Sequence, residues 1–161
     1  MPEIVEALIE HLVSLTIPSM TQPLIVLDTN VLVAALRSRC GASYRVLSQV
    51  GQSRFTMAIS VPLVMEYEDV LTRPGMVPIS RSAVDAVLDY LCAVGQRQRI
   101  FYLWRPKLRD PKDDMVLELA MNAGADAIVT HNVHDYVAAQ GMGPAIVTPA
   151  TWLESLPELK L

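Results

Sequence analysis

Apolar positions recur along this chain in two rhythms. In residues 3–15, Ile4, Val5, Leu8, Ile9, Leu12 and Leu15 fall at helical spacing with Glu3, Glu6 and Glu10 among the polar positions, which predicts an amphipathic helix. Pro18 and Pro23 end that pattern, and Leu24-Ile25-Val26-Leu27 follows as a short, continuously apolar run that stops at Asp28. Runs of this kind make strands buried on both faces. A helix follows over VLVAALRS, capped by Thr29 or Asn30, and beyond Gly41 another spans 43–50. Residues 55–59 predict a second strand, leading through Ser60 into a helix over about 61–72 with Pro62 at its start. Ser80 opens a helix whose stripe is Val84, Val87, Leu88, Leu91 and Val94.

Further on, residues 99–104 alternate loosely and predict a strand, and RPKLRDPKDD is a charged loop. Asp113 or Asp114 starts the next helix, with Val116, Leu117, Leu119 and Ala120 inward, and Gly124 ends it. Ala127-Ile128-Val129 and Ala145-Ile146-Val147 predict two more short strands, the first finishing at Thr130 and the second entering a helix over TPATWLESL. Strands alternating with helices favour a parallel sheet covered on both faces, because parallel neighbours need long crossovers. The 161 residues suit one domain, read as a helical extension over 1–22 and an α/β domain over 23–161.

Composition narrows the functional classes. With 52% apolar and 19% charged residues the chain can bury a sizeable core. No apolar run approaches the roughly 18 residues of a membrane span, and the early glutamates are unlike a signal peptide, so a cytoplasmic protein is expected. Cys40 and Cys92 lack metal-ligand spacing and read as reduced, buried thiols. A net charge of −4 excludes coating of nucleic acid by bulk positive charge, so any RNA contact must be local.

In open parallel sheets the functional crevice lies beyond the carboxyl ends of the strands. Asp28-Thr29-Asn30 and Thr130-His131-Asn132 both follow such ends, while Glu66 and the Asp113-Asp114 pair lie early in helices whose starts face the same edge. Carboxylates gathered there repel one another, and a cation resolves the conflict. Oxygen-only ligands select Mg²⁺ or Mn²⁺, ions suited to phosphodiester hydrolysis. Against this stand the ordinary roles of each acid, as strand-end cap, solvated helix face or partner of the helix dipole.

These residues resemble the PIN-domain family, and within it the branch of toxins from toxin–antitoxin systems. The resemblance rests on IVLDTNVLVAAL at 25–36, VPLVMEYEDVL at 61–71, RPKLRDPKDDMVLELAMNAGADAIVT at 105–130 and TPATWLESL at 148–156. It implies an α/β/α fold and Mg²⁺- or Mn²⁺-dependent cleavage of single-stranded RNA, with Asp28 as first acid, Glu66 as second and Asp113 as third. Asp114 is the adjacent alternative for the third and Asp110 a more distant one. Thr29, Asn30, Thr130 and Asn132 would support the site. Asn132 stands where the family often has another acid, which bears on a second metal. The resemblance also implies an antitoxin partner and a homodimer.

Other readings stay open. Arg105, Lys107, Arg109 and Lys112 run toward the acidic pair and, with Arg37 and Arg39, are candidates for the RNA backbone, although a solvated loop explains them equally well. Tyr102 and Trp104 suit either base stacking or the core, and His131 with His134 has ligand spacing but no third zinc ligand nearby. The alternative to a nuclease is a catalytically weak or inactive RNA- or partner-binding module. A phosphoryl-transfer enzyme with Asp28 as nucleophile ranks last.

Overall fold

The computed structural model describes residues 22–101 and 108–157, so the expected helix over 3–15 and residues Tyr102, Trp104, Arg105 and Lys107 lie outside the described residues. At the centre is β1 (Leu24–Leu27), whose Ile25, Val26 and Leu27 are wholly buried. It pairs in parallel with β2 (Thr56–Ile59) on one side and β4 (Ala127–Val129) on the other. The sheet is completed by β3 (Gln96–Arg97) beside β2 and by β5 (Ala145–Val147) beside β4. The resulting order, β3-β2-β1-β4-β5, is parallel throughout. The continuous apolar runs of β1 and β4 are therefore inner strands, as burial on both faces requires, whereas the run Ala145–Val147 forms β5, a partly exposed strand at the sheet edge.

Helices α1 (Thr29–Arg37), α2 (Ala42–Leu47), α3 (Val61–Leu71), α4 (Arg81–Val94), α5 (Pro111–Ala123) and α6 (Pro149–Ser155) complete a three-layer α/β/α domain. Helix α5 lies against β1, β2 and β4, which explains why Val116, Leu117, Leu119 and Ala120 are all buried. On the core's other flank α2 packs on α1 and α6, and Trp152 of α6 meets Phe55 edge-on at 5.9 Å between ring centroids. Side-chain caps fix several helix starts: Ser60 accepts from Leu63 N, Ser80 from Ala83 N and Thr148 from Thr151 N. Gly124 ends α5 at φ 64°, a left-handed conformation that glycine adopts without Cβ strain. Among the described residues no helix is long and apolar enough to cross a membrane.

Four local expectations are corrected. Of the strand expected at 99–104, residues 99–101 are not a strand and residues 102–104 lie outside the described residues, while the pair Gln96–Arg97 forms a strand just before them. It forms there because Gly95 lets the chain turn tightly out of α4: a Cβ at that position would come within 2.7 Å of the Leu91 carbonyl oxygen. The first helix begins at Thr29, so Asp28 and not Thr29 or Asn30 holds the N-cap position, yet it makes no side-chain cap bond because its carboxylate is engaged elsewhere. Helix α5 starts at Pro111 behind Asp110, whose side chain accepts from Lys112 N at 2.9 Å, placing Asp113 and Asp114 within the first turn. Of the two thiols expected to be buried, Cys40 is exposed, because it lies in the connection between α1 and α2 outside either apolar stripe, and Cys92 is half-buried.

Candidate active site

Strand order reverses between β1 and β4, so the crevice beyond their carboxyl ends is the switch point of the sheet. Asp28 and Thr130 stand at those two ends. The Thr130 hydroxyl donates to Asp28 Oδ2 at 2.7 Å, and the same oxygen accepts from Asn30 Nδ2 and from the Tyr136 hydroxyl, each at 3.1 Å. Asn30 also donates to Thr130 Oγ1 at 3.2 Å and accepts from His131 N at 3.1 Å, tying the two strand ends together. Asn132 joins through its backbone N, which donates to Thr130 Oγ1 at 3.0 Å. Beneath them, the buried Tyr67 hydroxyl donates to the Leu27 carbonyl and braces the end of β1. Thr130 thus uses its one donor and two acceptor positions, all in the network around Asp28.

Asp28, Thr29, Asn30, Arg37, Glu66, Asp110, Lys112 and Asp113 line one cleft of about 630 Å³, with Val33, Ala34, Val70 and Met76 as its apolar wall. Glu66 projects from α3 and pairs with Lys112 Nζ at 3.3 Å. Asp113 enters from the first turn of α5. Asp114, one residue on, is turned into the protein, 1% exposed, and accepts from Leu108 N at 2.9 Å. The structure therefore brings Asp28, Glu66, Asp113 and Asp110 to the cleft, whereas Asp114 is buried and is not among the described residues lining it.

Electrostatics mark the same place. Burial raises the Asp28 carboxyl above its ordinary range, against the opposing hydrogen bonds from Thr130 and Tyr136. Asp113 is pushed up to about 7, first by desolvation and then by the charges of Asp28, Asp110, Asp135 and Asp114. Burial and the neighbouring Asp28 likewise push Tyr67 and Tyr136 above the ordinary phenol range, so both stay protonated as donors.

Two contributors were not singled out in the sequence. Asp135 and Tyr136 lie on the 3-10 helix Val133–Ala139, which follows β4. Tyr136 is fully buried against Asp28, and Asp135 acts on both Asp28 and Asp113 through its charge. The available signal is their place, within seven residues of the end of β4 at the switch point. Of the basic candidates, Arg37 and Lys112 line the cleft, whereas Arg109 and Arg39 are exposed and are not among the described residues lining it. His131 contacts Ser43 Oγ at 2.6 Å, and His134 is exposed.

In donor chemistry and charge the cleft fits a hard divalent cation: the carboxylates of Asp28, Glu66, Asp110 and Asp113 line it, and the burial and charge repulsion that raise Asp113 are what such an ion offsets. Among the described residues no group of three or more His, Cys, Asp or Glu side chains is arranged to hold an ion as it stands, and Glu66 is turned to Lys112.

The fold and cleft define an α/β/α domain with its acids gathered at the switch point of a parallel sheet. Residues 24–134 match the family model described as PIN domain, and the chain belongs to that family, whose members are generally nucleases. Among solved structures, a chain of VapBC2 from Rickettsia felis bound to a DNA fragment from their promoter has a TM-score of 0.55 at 16% identity, over 76% of this chain and 96% of that chain. That likeness is one of fold. No curated protein matches the chain.

Proposed function

We propose that the protein is a Mg²⁺- or Mn²⁺-dependent endoribonuclease that hydrolyses phosphodiester bonds of single-stranded RNA. The observation that carries the reading is the convergence of Asp28, Glu66 and Asp113 on one cleft at the switch point. These three carboxylates would hold the ion. When bound, it would polarise a phosphoryl oxygen and make a water a better nucleophile. Thr130, Asn30 and Tyr136 hold Asp28 in one orientation, so the first acid needs no reorganisation when substrate arrives. Arg37 and Lys112 meet the RNA backbone, and the wall of Val33, Ala34, Val70 and Met76 accepts an unstacked base. A duplex offers no such base, which favours single strands.

The family, together with the likeness to the VapBC2 assembly, supports a toxin restrained by an antitoxin that covers this cleft. A homodimer and a cytoplasmic location belong to the same reading. The second reading, a catalytically weak or inactive RNA- or partner-binding module, is favoured by the Lys112–Glu66 pair and by Asn132 in place of an acid. Asp135 offsets that substitution by keeping negative charge on the cleft.

Pure protein incubated with labelled single-stranded RNA and Mn²⁺, Mg²⁺ or EDTA, beside Asp28→Asn, separates the two. Cleavage that needs metal and disappears in the variant supports the nuclease. Equal inactivity of both proteins, with RNA still bound, supports the binding module.

A further inference from the structure

Lys112 is the second residue of α5, a position where the positive end of the helix dipole disfavours a cation. Its side chain nevertheless turns to the acidic cleft and places Nζ 3.3 Å from Glu66 Oε1, with the lysine about half exposed and the glutamate 15% exposed. The backbone N of the same residue donates to Asp110, and the next residue, Asp113, faces the same cleft. Helix α5 thus delivers an acid and a cation side by side, and the cation occupies the acid on the opposite wall.

We infer that Lys112 is the resident counter-ion of the cleft: its ammonium holds Glu66 while no divalent ion is present, is displaced when one binds, and is then free to meet a phosphate. This rests on the nuclease reading and deepens it. An ammonium bears one charge and offers hydrogen bonds, so it can neutralise Glu66 but cannot be shared among Glu66, Asp28 and Asp113 as a divalent ion can. The competition accounts for a cleft with the right donors in which, among the described residues, no three are arranged around an ion. Lys112 is also long and flexible enough that leaving Glu66 requires only side-chain rotation.

Mn²⁺ binding by the RNA-free protein, followed by electron paramagnetic resonance, tests this in wild type, Lys112→Met and Lys112→Arg. Removing the competing and repelling charge should tighten Mn²⁺ binding about threefold to tenfold, while Lys112→Arg stays near wild type. Glu66→Gln added to Lys112→Met should abolish the gain. Thermal melts of the same samples should show a larger Mn²⁺-induced rise in Tm for Lys112→Met, which also establishes that the variant is folded. The salt dependence of single-stranded RNA binding with Mn²⁺ present should fall by a slope of about 0.7, one phosphate contact. Equal or weaker Mn²⁺ binding by Lys112→Met, beside a wild type that cuts RNA, overturns the inference and leaves the nuclease standing. No Mn²⁺ binding by either protein overturns both.

Discussion

Thr130 donates its hydroxyl hydrogen to Asp28 Oδ2 at 2.7 Å, joining the carboxyl ends of two strands that lie 102 residues apart in sequence. Thr130 is wholly buried and also receives Asn30 and Asn132, so the bond is the centre of a closed polar network. Thr130→Val keeps the shape, removes the hydroxyl and leaves the Asn132 N–H without that acceptor. The expected loss of stability is about 1–3 kcal/mol, read as a lower urea midpoint at unchanged m-value. RNA cleavage should fall further than the change in folded fraction, because Asp28 also loses its shortest donor. An unchanged midpoint would show that these groups find other partners.

Asp113 and Asp114 are adjacent in sequence and opposite in situation. Asp113 faces the cleft, while Asp114 is buried and holds Leu108 N at 2.9 Å. Asp113→Asn should lower cleavage by on the order of a hundredfold or more with the fold intact, as expected for losing a charged group at the reacting centre. Asp114→Ala strands a buried N–H and should cost about 1–3 kcal/mol, with lost activity following the lost folded fraction. Turnover per folded molecule, taken with the urea curves, distinguishes these; the reverse pattern would move the third acid to Asp114.

What could be read in the sequence divides along physical lines. Asp28 follows an apolar run and Asp113 lies in the first turn of an apolar helix, so periodicity places both at one edge of the sheet before any coordinates exist. Strands β1, β2, β4 and β5 follow from their apolar runs. Strand β3 does not, because two exposed residues at a sheet edge have no alternation to read, and its position depends on the close approach that Gly95 allows. Asp110-Pro111 was a helix-start signal in its own right, masked by the more conspicuous Asp113-Asp114 pair. Asp135 and Tyr136 reach the site through a 3-10 helix, whose three-residue repeat leaves no amphipathic signature in so short a segment. The Lys112–Glu66 pair joins two helices 46 residues apart in sequence (112 less 66), a relation that only the fold creates.

The raised Asp113 carboxyl has a consequence for stability without metal. Its folded-state value of about 7 lies above the unfolded reference of 3.8, so between those values the folded chain binds more protons than the unfolded chain. Stability in EDTA should therefore decline as pH rises from about 4 through 7 and level off above, with Asp28 acting in the same direction. Asp113→Asn should remove its own share of that decline and leave the part due to Asp28, and saturating Mn²⁺ should reverse the decline by stabilising the ionised form. Melting temperatures from pH 5 to 8 in EDTA measure the slope; a rise with pH in wild type would contradict the charge crowding in the cleft.

Tyr136 offers the finest control over Asp28. Its hydroxyl, 3.1 Å from Oδ2, donates to the carboxylate and opposes the upward push of burial. Tyr136→Phe leaves the buried ring in place and removes only that donor, at an expected cost of about 1 kcal/mol. The ionised form of Asp28 is then less favoured, so the acidic limb of the pH–rate profile should move to higher pH. At alkaline pH the cleavage rate should approach that of wild type, since Thr130 and Asn30 still hold the carboxylate. A profile lowered equally at every pH would make Tyr136 a packing residue and place the tuning of Asp28 with Thr130 and Asn30 alone.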